Sequence, residues 1–327
     1  MNLPRLARVT LAVLALTTAS AARAAPEEVT YLLPAPATLP AFAPWMIAQQ
    51  QGYYADENIK ISFVAGKGGV DVAKQLGAGN ALVGGAIGDT PIIVRANGVP
   101  VKAVAVLGAG SLTQLAVHAG GPIKSVKDMK GRTLTVMSYT DTTYYALLGS
   151  LKLAGLGKAD VAAQAAGPTG IWQLFAANKS EGMAAVPEWI VSAEDAGAKV
   201  QLLGGSQAFP SMAQAILASD EAIKTKPDLV RRIVRATLRG MQDIIKDPKA
   251  AAAVYAKAVP AFAGKEATVE RIFVMYRDRV YGQQKTLGEM DPKRLEAVQK
   301  FYVDEGIVAK PTPLADLYTN QFIGVAR

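Results

Sequence analysis

The stretch 31–54, YLLPAPATLPAFAPWMIAQQQGYY, decides how the rest of the chain is read. An apolar run at 29–33 has strand character. Pro34, Pro36 and Pro40 follow closely, so the chain there must be an extended, stiff loop. Pro44 then stands where a helix can begin, since a proline at the first helical position loses no hydrogen bond. The helix runs over 45–51 and Gly52 ends it. A strand, a stiff loop and a helix N-terminus make a corner whose free N–H groups point beyond the strand end.

The same alternation continues outward. Residues 59–64 (IKISFV) read as a strand, GKGG at 66–69 as a turn, and 70–76 as the start of a helix. A small-residue apolar run at 82–87 leads into Gly88-Asp89-Thr90-Pro91, where Asp89 or Thr90 is expected to cap a helix. A buried strand follows at 101–107. The polar loop SYTDTT (138–143) precedes a helix at 144–154, so the second half repeats the logic of the first. Further strands are expected at 183–186, 200–203 and 212–217. Helices are expected at 171–178, 228–246, 250–258, 266–280 and 292–305, the last capped by Asp291. This succession predicts parallel α/β sheets.

The chain has 327 residues, 50% of them hydrophobic and 19% charged, enough for two domains with cores of their own. Residues 1–24 read as a secretory signal peptide: Arg5 and Arg8 ahead of a short apolar stretch, then Ala22-Arg23-Ala24 as a cleavage site. Removing the leader's three arginines takes the net charge from +8 to +5. There is no cysteine, so neither a lipoprotein anchor nor a disulfide is expected. Lys and Arg are dispersed rather than clustered with aromatics, so no nucleic-acid surface is expected.

Several motifs together carry a resemblance. Ala48 to Ile61 fits A-x-x-x-G-Y-Y-x-x-E-N-I-x-I. Asp128, Lys130 and Gly131 fit a D-L-K-G-K segment, with Met129 standing for its Leu and Arg132 for its last Lys. Pro187-Glu188 stands in reversed order where an E-P element is usual. Pro313, Leu314, Asp316, Leu317, Tyr318, Asn320 and Phe322 fit a closing P-L-x-D-L-Y-x-N-x-F. Nearly the whole chain after residue 24 thus resembles the periplasmic substrate-binding proteins of ABC importers for nitrate, sulfonates, taurine and thiamine precursors. One departure is Leu82, where that family commonly has aspartate.

The resemblance implies a type II periplasmic-binding-protein fold: two lobes, each a mainly parallel sheet flanked by helices, joined by two hinge crossings. Residues 25–118 and 212–327 would form one lobe and 119–211 the other, with crossings near His118 and Pro210. It also implies a monomer that closes on a small-molecule ligand and delivers it to a membrane permease, with no enzymatic activity, cofactor or metal.

The residues themselves leave little room for catalysis. His118 is the single histidine and reads as structural; no G-x-S-x-G or P-loop appears. Binding requires only loops at the carboxyl ends of strands. Those loops supply Phe42, Trp45, Asp89, Thr90, Ser111, Thr113, Ser138, Tyr139, Thr140, Thr142, Thr143, Trp172 and Glu188 as candidate ligand contacts. Ser138, Thr140, Thr142 and Thr143 before a helix could cradle an organic anion: a sulfonate, carboxylate or aromatic acid. Asp89, Asp141 and Glu188 would instead suit a pyrimidine-type nitrogen heterocycle, although both aspartates are first expected as helix caps. Arg231, Arg235 and Arg239 are expected to form a solvated stripe.

Overall fold

A computed structural model of the chain describes residues 25–204 and 208–324; the expected signal peptide lies outside them. The first sheet holds five strands in the order β2-β1-β3-β10-β4: β1 (Glu27–Leu33), β2 (Ile59–Ala65), β3 (Val83–Ile87), β4 (Val101–Val106) and β10 (Gln214–Ser219). The second has the order β7-β6-β8-β5-β9: β5 (Gln114–His118), β6 (Thr133–Val136), β7 (Ala162–Ala165), β8 (Gly182–Ala185) and β9 (Val200–Leu203). In each sheet one strand, β10 or β5, runs antiparallel to its neighbours. This is the two-lobed periplasmic-binding-protein fold that the sequence predicts.

One boundary moves. His118 ends β5, which pairs with β8 and β9 in the second sheet, so the expected crossing there falls one strand late. The chain crosses within 107–113 and returns within 204–213. His118 itself is structural: its ring stacks on Phe175 at 4.0 Å and its Nε2 meets the Ser180 carbonyl oxygen at 3.0 Å.

The helices begin where proline says they should. Pro44, Pro91, Pro168, Pro187, Pro227, Pro248 and Pro292 each occupy one of the first two positions of α1 (Ala43–Gln50), α4 (Thr90–Arg95), α6 (Gly167–Ala176), α7 (Pro187–Asp195), α9 (Pro227–Lys246), α10 (Pro248–Ala258) and α12 (Pro292–Asp304). The others are α2 (Tyr53–Asp56), α3 (Gly69–Gly77), α5 (Thr142–Leu153), α8 (Asp220–Thr225), α11 (Glu266–Tyr276) and α13 (Leu314–Leu317). A π-turn at Arg277–Tyr281 extends α11. Helix α9 buries Leu229, Ile233, Val234 and Met241 along its apolar stripe and packs on α1. At Gly240 the two helices touch so closely that a Cβ would overlap the carbonyl of Pro44.

The arginine stripe on α9 is paired rather than solvated. Arg235 forks onto Glu57, and Arg239 reaches Asp56 at 2.9 Å with its guanidinium 3.8 Å above the Tyr53 ring. The stripe clasps α2 to the helix layer. Leu82, in the place of the family's aspartate, is half-buried against the main core just before β3.

Candidate functional site

The carboxyl ends of the parallel strands of both sheets meet at the seam between the lobes, and two acids are buried there. Asp89 follows β3 and is wholly inaccessible to water. Its Oδ2 accepts the Tyr302 hydroxyl at 2.9 Å, while its Oδ1 has no hydrogen-bond partner among the described residues. Burial pushes its pKa up to about 7, aided by Asp141 and opposed by the Tyr302 hydrogen bond and, more weakly, Arg294. Glu188 follows β8, at the head of α7. Its Oε2 accepts the Tyr276 hydroxyl of α11 at 2.8 Å, and burial again raises it to about 7.

These acids tie the lobes together through tyrosines. Tyr276 stacks on Tyr281 at 5.0 Å, and the Tyr281 hydroxyl is buried without a hydrogen-bond partner among the described residues. Tyr302 of α12 packs edge-on against Tyr145 of α5 at 5.6 Å. Tyr255 donates to the Thr38 carbonyl, at 2.6 Å, inside the proline-rich loop after β1. Around that loop Phe42 and Trp45 are buried in contact with one another, the Trp45 indole N–H and the Tyr31 hydroxyl lie against each other, and Gln214 Oε1 is buried with no hydrogen-bond partner among the described residues. Buried polar atoms are nearly always satisfied, so the free oxygens of Asp89, just after β3, and Gln214, at the start of β10, mark places where a ligand's own polar atoms would fit.

The hydroxyl-rich head of α5 is arranged differently from the expected cradle. Asp141 is the cap: its Oδ1 accepts from the Thr143 amide at 2.9 Å and also from the Thr143 hydroxyl. Thr142 is buried, while Ser138 and Thr140 face one another at 3.4 Å nearer the surface. Tyr139 is exposed and donates to the Ala163 carbonyl within β7. Asp89, by contrast, is not the side-chain cap that the sequence suggests. Its carboxyl makes no capping hydrogen bond to the helix, because Pro91 removes the second amide and the residue takes φ −91°, ψ −7° instead of extended backbone.

Thr90 is buried beside Asp89. Ser111 and Thr113 lie in the first crossing, where the Ser111 hydroxyl bonds that of Ser211 in the second. Trp172 is half-buried against the small core under α6 and α7, with Ile171 and Phe175. A surface groove of about 590 Å³ runs between α7 and α11, but Arg271 in its wall already pairs with Glu194. The tyrosines 276, 281 and 302 were not legible as site residues; they sit on helix faces far along the chain, and Tyr302 is 213 positions from Asp89.

A model of the "NMT1/THI5 like" family matches residues 39–251. The riboflavin-binding protein RibY of Chloroflexus aurantiacus is 25% identical over 289 residues, covering 86% of this chain and 82% of its own. The alkanesulfonate-binding protein SsuA of Xanthomonas axonopodis pv. citri, bound to MOPS, superposes with a TM-score of 0.69 at 19% identity, covering 91% of this chain and 99% of its own. DszB, in complex with biphenyl-2-sulfinic acid, shares the fold with a TM-score of 0.60 at 14% identity, covering 90% of this chain and 97% of its own.

Proposed function

The chain belongs to the NMT1/THI5-like family, and from that premise we propose that it is the periplasmic solute-binding component of an ABC importer, closing on a neutral, planar nitrogen heterocycle. The observation that carries the ligand class is Asp89. A wholly buried carboxyl with one oxygen on Tyr302 and the other free offers a donor–acceptor edge when protonated and a strong acceptor when ionised. Either form suits ring N–H and C=O groups. An anion would meet Asp89 and Asp141, and the guanidinium nearest Asp89, that of Arg294, is already taken up by three backbone carbonyls. The anion reading draws support from buried Thr142 at the head of α5, but Asp141 already holds that position with a negative charge.

The mechanism is hinge closure. The ligand docks against the strand ends of one lobe, and contacts from the other stabilise the closed state. The closed, monomeric form then presents itself to a membrane permease. The leader at 1–24 supports export, and no helix among the described residues is long and apolar enough to cross a membrane. DszB is described as a desulfurization enzyme, so the fold also serves catalysis; here the chain has no cysteine, which closes thiol chemistry to it.

Thermal unfolding of the chain from Ala25, stripped of ligand by unfolding and refolding, tests this. The panel holds riboflavin, neutral pyrimidines, alkanesulfonates and aromatic acids. A ligand at 100 times its Kd stabilises by about 2.7 kcal/mol. Stabilisation by the neutral heterocycles, lost in Asp89→Ala, is expected. Stabilisation by sulfonates or aromatic acids alone would sink the ligand class.

A further inference from the structure

Both crossings between the lobes converge on one side chain. Arg294 projects from the first turn of α12, and its guanidinium donates to three carbonyls: Nε to Pro210 at 2.9 Å, Nη1 to Ala109 and Nη2 to Ser211. Ala109 lies in the first crossing, Pro210 and Ser211 in the second. The fork of a guanidinium suits this task, since its donors point in fixed, divergent directions within one plane. Burial lowers its pKa to about 10, and the side chain stays charged at neutral pH.

The crossings are also joined to each other. The Leu112 amide donates to the Met212 carbonyl at 3.2 Å, and the Ser111 and Ser211 hydroxyls share a hydrogen bond. On the other side the first crossing is pressed against the π-turn. The Gly110 amide donates to the Val280 carbonyl at 2.9 Å, and a Cβ at Gly108 or Gly110 would overlap the carbonyls of Val280 or Arg279. Helix α12 in turn reaches the second lobe: Tyr302 meets Tyr145, and Glu305 accepts from Lys152 at 2.8 Å.

We propose that Arg294 is a positioning residue for lobe closure, stapling the two crossings into a single ribbon so that the lobes move about one axis. Without it each crossing bends by itself and the lobes splay and twist independently. This rests on the two-lobed binding reading, but not on which ligand the cleft takes.

The native chain has no cysteine, so engineered pairs can be spin-labelled cleanly. K74C/K158C spans the lobes and K74C/K249C stays within the first; all three lysines are exposed. Inter-spin distances are measured by pulsed electron resonance without ligand, in the parent and in R294K and R294M. Loss of even one charge-assisted hydrogen bond predicts about a tenfold rise in the minor, splayed population across the lobes. The distance within the first lobe is expected to stay unchanged, which a merely destabilised fold would not allow. An unchanged inter-lobe distribution in R294K and R294M overturns the proposal. Should R294M fail to fold, R294K, which keeps the charge but cannot fork three carbonyls, decides alone. Because no ligand is present, a wrong ligand class leaves either result standing.

Discussion

Asp89 and Asp141 occupy matching places in the two lobes, each after a parallel strand and immediately before Thr at the head of a helix. Asp141 has extended backbone, φ −87° and ψ 145°, and its side chain folds back onto the Thr143 amide. Asp89 has helical backbone and Pro91 where that amide should be, so its carboxyl turns away and is buried against Tyr302. One acid, partly buried, stabilises its own helix. The other is withdrawn from water and held at a pKa of about 7. The same residue type, two positions before either a threonine or a proline, becomes a cap or a buried site group. The N–H at the second helical position decides which.

The largest effect that tests this contrast is on stability against pH. A carboxyl whose folded pKa lies near 7 contributes stability that is fully present below about pH 4 and is lost as pH rises through 7. Each such acid gives a slope of up to about 1.4 kcal/mol per pH unit in that window, of order 3 kcal/mol in all. Urea unfolding from pH 4 to 8 should show the loss for the native chain and a clearly smaller one for Asp89→Asn. Identical curves would mean that Asp89 does not titrate in this window. Next in size is the cap: Asp141→Ala should cost about 1 kcal/mol at pH 7, read from the same unfolding curves. No loss there would remove the functional difference between the two acids. The smallest effect sharpens the cause. Pro91→Ala returns an N–H at the second helical position, and the Asp89 titration, followed by carboxyl NMR, should move downward. A titration left in place would assign the difference to the Tyr302 contact and not to the proline.

Much of the fold could be read locally. Prolines 44 and 91 announced helix starts, although the helix that begins at Pro187 was not foreseen, and the alternation of apolar runs with glycine-bounded helices gave the α/β class. The first crossing was placed too late because an apolar run such as 114–118 looks the same in either sheet; only pairing with β8 and β9 assigns it. The Gly108-Ala109-Gly110 fragment carries no motif that its sequence alone explains. Its glycines answer to carbonyls at Arg279 and Val280, some 170 positions away, which no local reading supplies. The site followed the same division. Asp89 and Glu188 were named from their loops, but Asp89 was expected as a cap, and the lack of an amide at Pro91 was not weighed against it. The tyrosines that hold them come from helices whose periodicity says only that one face is apolar.

Strand β10 sits between β3 and β4 in the first sheet. It is made only after all five strands of the second sheet, β5 to β9, have been synthesised. The second lobe is therefore a continuous segment that can complete its sheet from its own residues, while the first is held in two unjoined pieces, β2-β1-β3 and β4, until Gln214–Ser219 arrives to bridge them. A chain interrupted between residues 204 and 213 carries all five strands of the second sheet beside an open edge on β3, and that edge is exposed to pairing with the wrong strand.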